Sequence, residues 1–283
     1  MKTRVAAIQM SSQADVGANL ELAGSLVADA AAEGARLAVL PENFALMPVR
    51  SRDKSAHAEA IGSGPIQAFL AETARRHQVW IVGGSLPLAS GDADRVFGAS
   101  VVVDAAGETR AIYRKIHLFD VELAASGESY RESHSMRPGA EPVVVATPAG
   151  VVGLSVCYDV RFPELYRHYV AAGASVLTVP AAFTAVTGKA HWRTLLGARA
   201  IENLAWVIAP GQWGTHPDGR TTWGHSMIVD PWGTVVDELA DGNGLAIADI
   251  DPAAVERLRQ EFPALANRRL AGGIPTTERM TDD

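Results

Sequence analysis

The chain has 283 residues with 48% apolar content, enough for one large domain or two small ones around a substantial core. Its 25 Lys and Arg against 32 Asp and Glu give a formal net charge of −7, an acidic balance that argues against a nucleic-acid partner. The single cysteine rules out an internal disulfide framework and fits a reducing compartment. With too short an N-terminal apolar run for a signal peptide and no stretch long enough to span a bilayer, a soluble cytoplasmic protein with no membrane partner is expected.

Apolar patterning predicts a strand at 5–9, a helix at 19–34 and a strand at 37–40. A helix at 65–77 then leads to a strand at 79–83. Strands joined by helical crossovers pair in parallel. The style then changes, with residues 101–108 reading as a hairpin and 147–150 as another turn. Alternation returns after an apolar strand at 151–156, with helices at 163–172 and 191–203 and strands at 175–179 and 205–209. A hairpin at 228–235 repeats the Val-Asp-x-x-Gly pattern of 103–107. Both halves run helices first and hairpin second, compatible with a pseudo-symmetric pair of layers, although shared turn chemistry explains the echo equally well. No Gly-, Ser- or Pro-rich linker divides the chain. Residues 1–270 are therefore expected to form a single domain, and 271–283 a polar tail, frayed over 280–283.

Cys157 stands where a buried strand runs out into Tyr158-Asp159-Val160-Arg161-Phe162-Pro163-Glu164, a charged segment whose proline suits the first turn of a helix. A thiol there faces helix N-terminal amides, which favour a thiolate or a nearby oxyanion. By itself the position admits two readings, a nucleophile or small core filling, since free cysteine is commonly buried. Glu42 occupies a similar place, the first charge beyond the strand at 37–40 and Pro41, where a lone glutamate is usually a solvated loop carboxylate. Ligands bind outside the carboxyl ends of parallel strands, so both groups are placed to reach one crevice. Lys115 shares one strand face with Tyr113 and His117, by alternation with Ile112, Arg114 and Ile116, a setting that admits a shielded lysine, although an exposed edge-strand charge is the commoner case. Glu132, in Tyr130-Arg131-Glu132-Ser133, is uninformative alone.

Together, cysteine, glutamate and lysine suit acyl transfer. Glu42 would take the thiol proton and later activate water. Lys115, with the backbone amide of Tyr158, would stabilise the oxyanion of the tetrahedral intermediate. A thiolate beside a carboxylate is repelled, so the resting pair carries one proton. Glu132 would hold the ammonium or relay protons.

Three segments carry a family resemblance: Leu40-Pro41-Glu42-Asn43-Phe44, residues 113–120 around Lys115, and residues 157–165 around Cys157. They resemble, in order, three signatures of the nitrilase (carbon–nitrogen hydrolase) superfamily. The likeness extends through Ala182-Phe183-Thr184, 188–192, 199–203 and 224–233, covering the chain to about residue 269. It implies an α/β fold of the α-β-β-α sandwich type with mixed sheets, assembly as a homodimer or higher homo-oligomer, and a thioester mechanism without metal or cofactor. It also implies Glu42 as base, Lys115 as oxyanion stabiliser, Cys157 as nucleophile and Glu132 as the additional active-site glutamate. Segments 120–122, 187–192 and 224–235 resemble the branch that contains deaminated glutathione amidase and omega-amidase, with the former favoured. Lys189, where many relatives have proline, and Gly98, where asparagine is frequent, depart from the pattern.

Both activities of that branch act on a small amide at the far end of a 2-oxo dicarboxylic acid, which calls for a cationic clamp. Arg161 is a candidate, and pairing with Asp159 or Glu164 is an equal alternative. Tyr158, Phe119 and Phe183 are candidate substrate-binding residues. Phe44 is a further candidate wall, although core packing suits each phenylalanine as well. His117 and His225 offer a Cys-His alternative. The eight histidines lack a close metal-ligand spacing. Other readings keep the site but change the acyl donor to 2-oxoglutaramate, an N-carbamoyl amide or a nitrile. A different class altogether is a non-catalytic interaction protein whose thiol senses oxidants.

Overall fold

The computed structural model describes residues 2–50, 52–123 and 127–269, so the expected tail at 271–283 lies outside the described residues. The first half runs β1 (Thr3–Gln9), α1 (Val16–Ala32), β2 (Leu37–Val39), α2 (Asp53–Ala56), α3 (Pro65–His77), β3 (Trp80–Ala89), β4 (Val96–Val103) and β5 (Thr109–Arg114). A small hairpin, β6 (Asp120–Leu123) and β7 (Glu128–Arg131), leads to β8 (Val144–Thr147) and β9 (Gly150–Leu154). The second half continues through α4 (Pro163–Ala171), β10 (Val176–Thr178), α5 (Ala185–Asn203) and β11 (Trp206–Ala209). A short ribbon, β12 (Trp213–Thr215) and β13 (Thr221–Trp223), precedes β14 (Ser226–Val229), β15 (Val235–Leu239), β16 (Gly244–Ile250) and α6 (Pro252–Glu261).

Two six-stranded sheets result, ordered β16-β1-β2-β3-β4-β5 and β15-β14-β11-β10-β9-β8. Each has three parallel strands at its centre, one antiparallel neighbour on one side and two on the other. The two halves thus share a strand order, as the repeated hairpin pattern led one to ask. The edge strand of the first sheet, however, is supplied by β16 from the far end of the chain.

Strand alternation separates the layers. Val5, Ala7, Leu37, Val39 and Val82 share one buried core with Val152, Leu154 and Val176 of the second sheet. The opposite faces, through Ile8, Ala38, Leu40, Ile81 and Val101, pack on Ala23, Val27, Ile66 and Leu70 of α1 and α3. Helices α4 and α5 cover the second sheet, where Gly153 lies so close to Tyr169 that an added Cβ would fall 2.7 Å from its ring. The arrangement is the expected α-β-β-α sandwich.

Two helices begin earlier than residue patterning predicts. Asp15 caps α1 by accepting from the Ala18 amide at 2.9 Å, which carries the helix start back to Val16. Thr184 does the same for α5, and Gly188 inside it is no breaker, because it seats the Trp223 side chain against the helix. The strand predicted at 79–83 extends to Ala89 across a register shift between Gly83 and Leu86. There Gly84 has φ of 36°, and a Cβ would fall 1.9 Å from the Pro41 carbonyl oxygen. The bulge thereby lets the segment carrying Glu42 cross the strand at backbone contact distance.

Candidate active site

Glu42 follows β2 and is fixed by the other sheet. Its Oε2 accepts from the Ala182 amide at 2.9 Å, beyond β10, and its own carbonyl accepts from Gln212 Nε2 at 3.0 Å. The next residue, Asn43, takes a left-handed conformation with φ of 58° and donates its amide to Ser85 Oγ. Lys115 leaves the end of β5, its backbone held on both sides by Gly98 and Gly139. Its Nζ donates to Glu42 Oε1 at 2.8 Å and to Glu132 Oε2 and Oε1 at 2.9 and 3.0 Å. Glu132, in a single turn after β7, also accepts from the Phe119 amide at 2.7 Å.

Cys157 begins a tight turn, Cys157–Arg161, between β9 and α4, and its φ of 51° is a left-handed value for a residue with a side chain. Its amide donates to the Pro180 carbonyl at 2.8 Å. The thiol lies against the Glu42 carboxylate and the Ala182 amide. Backbone strain of this kind persists only where the surrounding contacts hold it in place. The chief of these is Asp159, fully buried, which accepts from Val156 N (2.8 Å), Tyr113 Oη (2.7 Å), His117 N (3.0 Å) and His117 Nδ1 (2.7 Å). One carboxylate therefore ties the turn at Cys157 to the strand end at Lys115.

The charges are mutually adjusted. Burial pushes the Glu42 carboxyl upward, but the adjacent Lys115 ammonium outweighs it and holds the group below the ordinary value of 4.5. Lys115 is opposed by burial too, yet Glu132 and Glu42 keep it well above 10.5. Burial, then the Glu42 charge, raise the Cys157 thiol well above 9.0. These shifts favour a carboxylate at Glu42, an ammonium at Lys115 and a protonated thiol at Cys157.

All four residues line a single cavity of about 280 Å³. Phe119, Tyr158 and Phe183 line it as well, with the Phe119 and Tyr158 rings edge to face at 5.1 Å. Arg161 is not brought into the lining; its guanidinium lies 5.2 Å from the Phe183 ring, near His191 Nδ1. Phe44 belongs to the core between the first sheet and its helices. His117 is committed to Asp159 and stacked on Phe162, and His225 pairs with Glu238, so neither reaches the thiol. Lys189 is exposed on α5, outside the cavity, whereas the Gly98 carbonyl directly holds the Lys115 amide. Sequence reasoning did not single out Lys54, Arg220, Asp218, Arg50, Arg131 or Tyr130, all in the lining. It points only to the loops 43–53, 120–131 and 212–223 as setting specificity, and these carry all of them except Lys54, just beyond the first. Among the described residues, no cluster of His, Cys, Asp and Glu is placed to hold a metal ion, and no helix is long and apolar enough to cross a membrane.

Comparison with known proteins agrees with this architecture. The carbon-nitrogen hydrolase family model matches residues 4–260. A Synechocystis protein named deaminated glutathione amidase is 44% identical over 266 residues, covering 93% of this chain and 97% of its own. The solved Caenorhabditis elegans NitFhit protein superposes with a TM-score of 0.87 at 37% identity, over 95% of this chain, which spans only 65% of that longer protein. Saccharomyces cerevisiae Nit3, described as a member of branch 10 of the nitrilase superfamily, gives a TM-score of 0.83 at 31% identity, over 93% of this chain and 94% of its own. With a family match over nearly its whole length and this fold, the chain belongs to the carbon–nitrogen hydrolase family, enzymes that hydrolyse carbon–nitrogen bonds other than peptide bonds.

Proposed function

We propose that this protein is a deaminated glutathione amidase working through a Cys157 thioester. The observation that carries the reading is the charge of the cavity beside Cys157. Its described lining holds five cations, Arg50, Lys54, Lys115, Arg131 and Arg220, against three carboxylates, Glu42, Glu132 and Asp218. Deaminated glutathione carries two carboxylates, one at each end, which suits that surplus. The name borne by the Synechocystis relative supports the same choice.

In this mechanism the Cys157 sulfur attacks the amide carbonyl carbon as its proton passes to Glu42. Lys115 donates a hydrogen bond to the oxyanion, Glu132 holding its ammonium in position. The intermediate collapses, Glu42 protonates the departing nitrogen, and Cys-Gly leaves while the 2-oxoglutaryl group stays on sulfur. Water then gives a proton to Glu42 and attacks the thioester, releasing 2-oxoglutarate and returning the proton to the thiol. The acid below its usual range and the thiol above it fit a base that takes the proton only as the bond forms.

Residues 1–270 act as one catalytic unit in this reading, and the reduced thiol it needs suits the cytoplasm. A second copy docks on the exposed set Ile201, Trp232 and Phe262, whose Trp232 and Phe262 rings lie 5.7 Å apart. Light scattering of the full chain tests the dimer. The activity test is a parallel assay on deaminated glutathione, 2-oxoglutaramate, an N-carbamoyl amino acid and a nitrile, following 2-oxoglutarate, amine and ammonia. Highest kcat/KM on deaminated glutathione, with a 2-oxoglutaryl adduct on Cys157 by intact mass, is expected. Preference for 2-oxoglutaramate would reassign the substrate to the omega-amide, and no adduct with any acyl donor would refute the thioester.

A further inference from the structure

The chemistry above employs Glu42, Lys115, Glu132 and Cys157 but leaves one enclosed cation in the same cavity without a task. Lys54 lies on α2 and is only 8% exposed. Its ammonium forms no ion pair and no hydrogen bond with any described residue, whereas Lys115, more deeply enclosed, is held by two carboxylates. Burial drives the Lys54 pKa down. Glu132 and Glu42 offset this only in part, and Lys115 and Arg220 add to it. A buried ammonium without a counter-ion is among the least favourable arrangements a fold can hold, and it persists where an anion completes it.

Arg220, in the turn between β12 and β13, faces the same space. Its Nη2 pairs with Asp218 at 3.2 Å and its guanidinium lies 5.3 Å from the Tyr130 ring, while its Nε is buried with no hydrogen-bond partner. The remaining cations sit differently. The side chains of Arg50 and Arg131 are 66% and 43% exposed, and each pairs with a carboxylate, Asp53 and Glu122. Depth therefore sorts the cations. The acyl part of the substrate remains in the site through the thioester stage, whereas the amine must depart past the rim.

We propose that Lys54, assisted by Arg220, binds the carboxylate of the retained 2-oxo acyl chain and sets the preference of the site for anionic amides. This rests on the amidase reading above for its substrate, and on the geometry of the cavity for its site. The carboxylate supplies the counter-ion that the fold withholds, so binding energy comes from completing a desolvated pair.

The test uses the full chain and its Lys54→Met and Lys54→Arg variants, with 2-oxoglutarate as the calorimetric probe. Met is expected to weaken 2-oxoglutarate binding about 30-fold or more, with Arg restoring much of it. The ligand-free Lys54→Met protein is expected to melt at or above the wild-type temperature, since an uncompensated charge has been removed. In turnover, the ratio of kcat/KM for 2-oxoglutaramate over neutral pentanamide should fall by a similar factor, chiefly through KM. An unchanged Kd in Lys54→Met overturns the proposal. So does a lowered melting temperature with the two amides losing activity equally, which marks Lys54 as structural. Failure of the amidase reading looks different: the wild type releases no amine from any amide, while the binding measurement still decides the role of Lys54.

Discussion

Asp159→Asn exchanges one oxygen for an amide group at the junction between the turn at Cys157 and the strand end at Lys115. The carboxylate accepts four hydrogen bonds, two at each oxygen: His117 N and Nδ1 on Oδ1, Tyr113 Oη and Val156 N on Oδ2. Asparagine can keep the His117 pair, now to a neutral acceptor. Its NH₂ then faces the Val156 N–H, donor against donor, while the Tyr113 hydroxyl rotates to accept. One buried amide left unsatisfied costs about 1–3 kcal/mol, and weakening the charge-assisted bonds adds about 1 kcal/mol. A loss of about 2–4 kcal/mol corresponds to roughly 4–8 °C in melting temperature for a chain of this size. Because the turn holds Cys157 at a left-handed φ, its relaxation moves the sulfur relative to Glu42 and Lys115, and a displacement of about 1 Å costs on the order of 100-fold in kcat. Calorimetry and steady-state kinetics on deaminated glutathione read both quantities. Unchanged melting and unchanged kcat would refute the claim that this carboxylate braces the site.

Lys115→Ala is expected to lower kcat about 10²–10³-fold through loss of the oxyanion donor, and to destabilise the protein by leaving Glu42 and Glu132 without their shared cation; undiminished turnover would exclude that role. For pH, Glu42 must be ionised to accept the proton, and Lys115 holds its pKa below 4.5, so the acid limb of kcat/KM should fall below pH 4.5. In Lys115→Met that limb moves upward, because burial then acts on Glu42 with less opposition; brief assays from acid to neutral pH measure the shift. Gly84→Ala forces a Cβ against the Pro41 carbonyl at positive φ, and a fall of several degrees in melting temperature with lost activity is expected; full activity would show that the Glu42 segment tolerates displacement.

Much of this was legible in the chain itself. Apolar strands ending at Pro41-Glu42 and at Cys157, and alternation that places Tyr113 and Lys115 on one face, announce the central strands and the residues at their ends. Such signals are local: hydrophobic periodicity and a chemically specific residue at an element boundary. Their reach fails where partners are distant. Strand β16 pairs with β1 across nearly the whole chain, and neither its pattern nor that of α6 identified it. The helix starts at Val16 and Ala185 depend on single capping side chains, which periodicity does not weigh.

The cavity divides along the same line. Sequence by itself singled out the candidate reacting groups, through three motifs that resemble those of the family, where residue chemistry alone left a Cys-His alternative open. Only tertiary structure decided which cations line the cavity. Arg161 stands four residues from Cys157 yet turns to Phe183 and His191, while Lys54 and Arg220 arrive from segments 166 positions apart in number. A short helix and a ribbon turn bring those two together, and charge in a cavity is set by what surrounds it in space, a property no single stretch of chain contains.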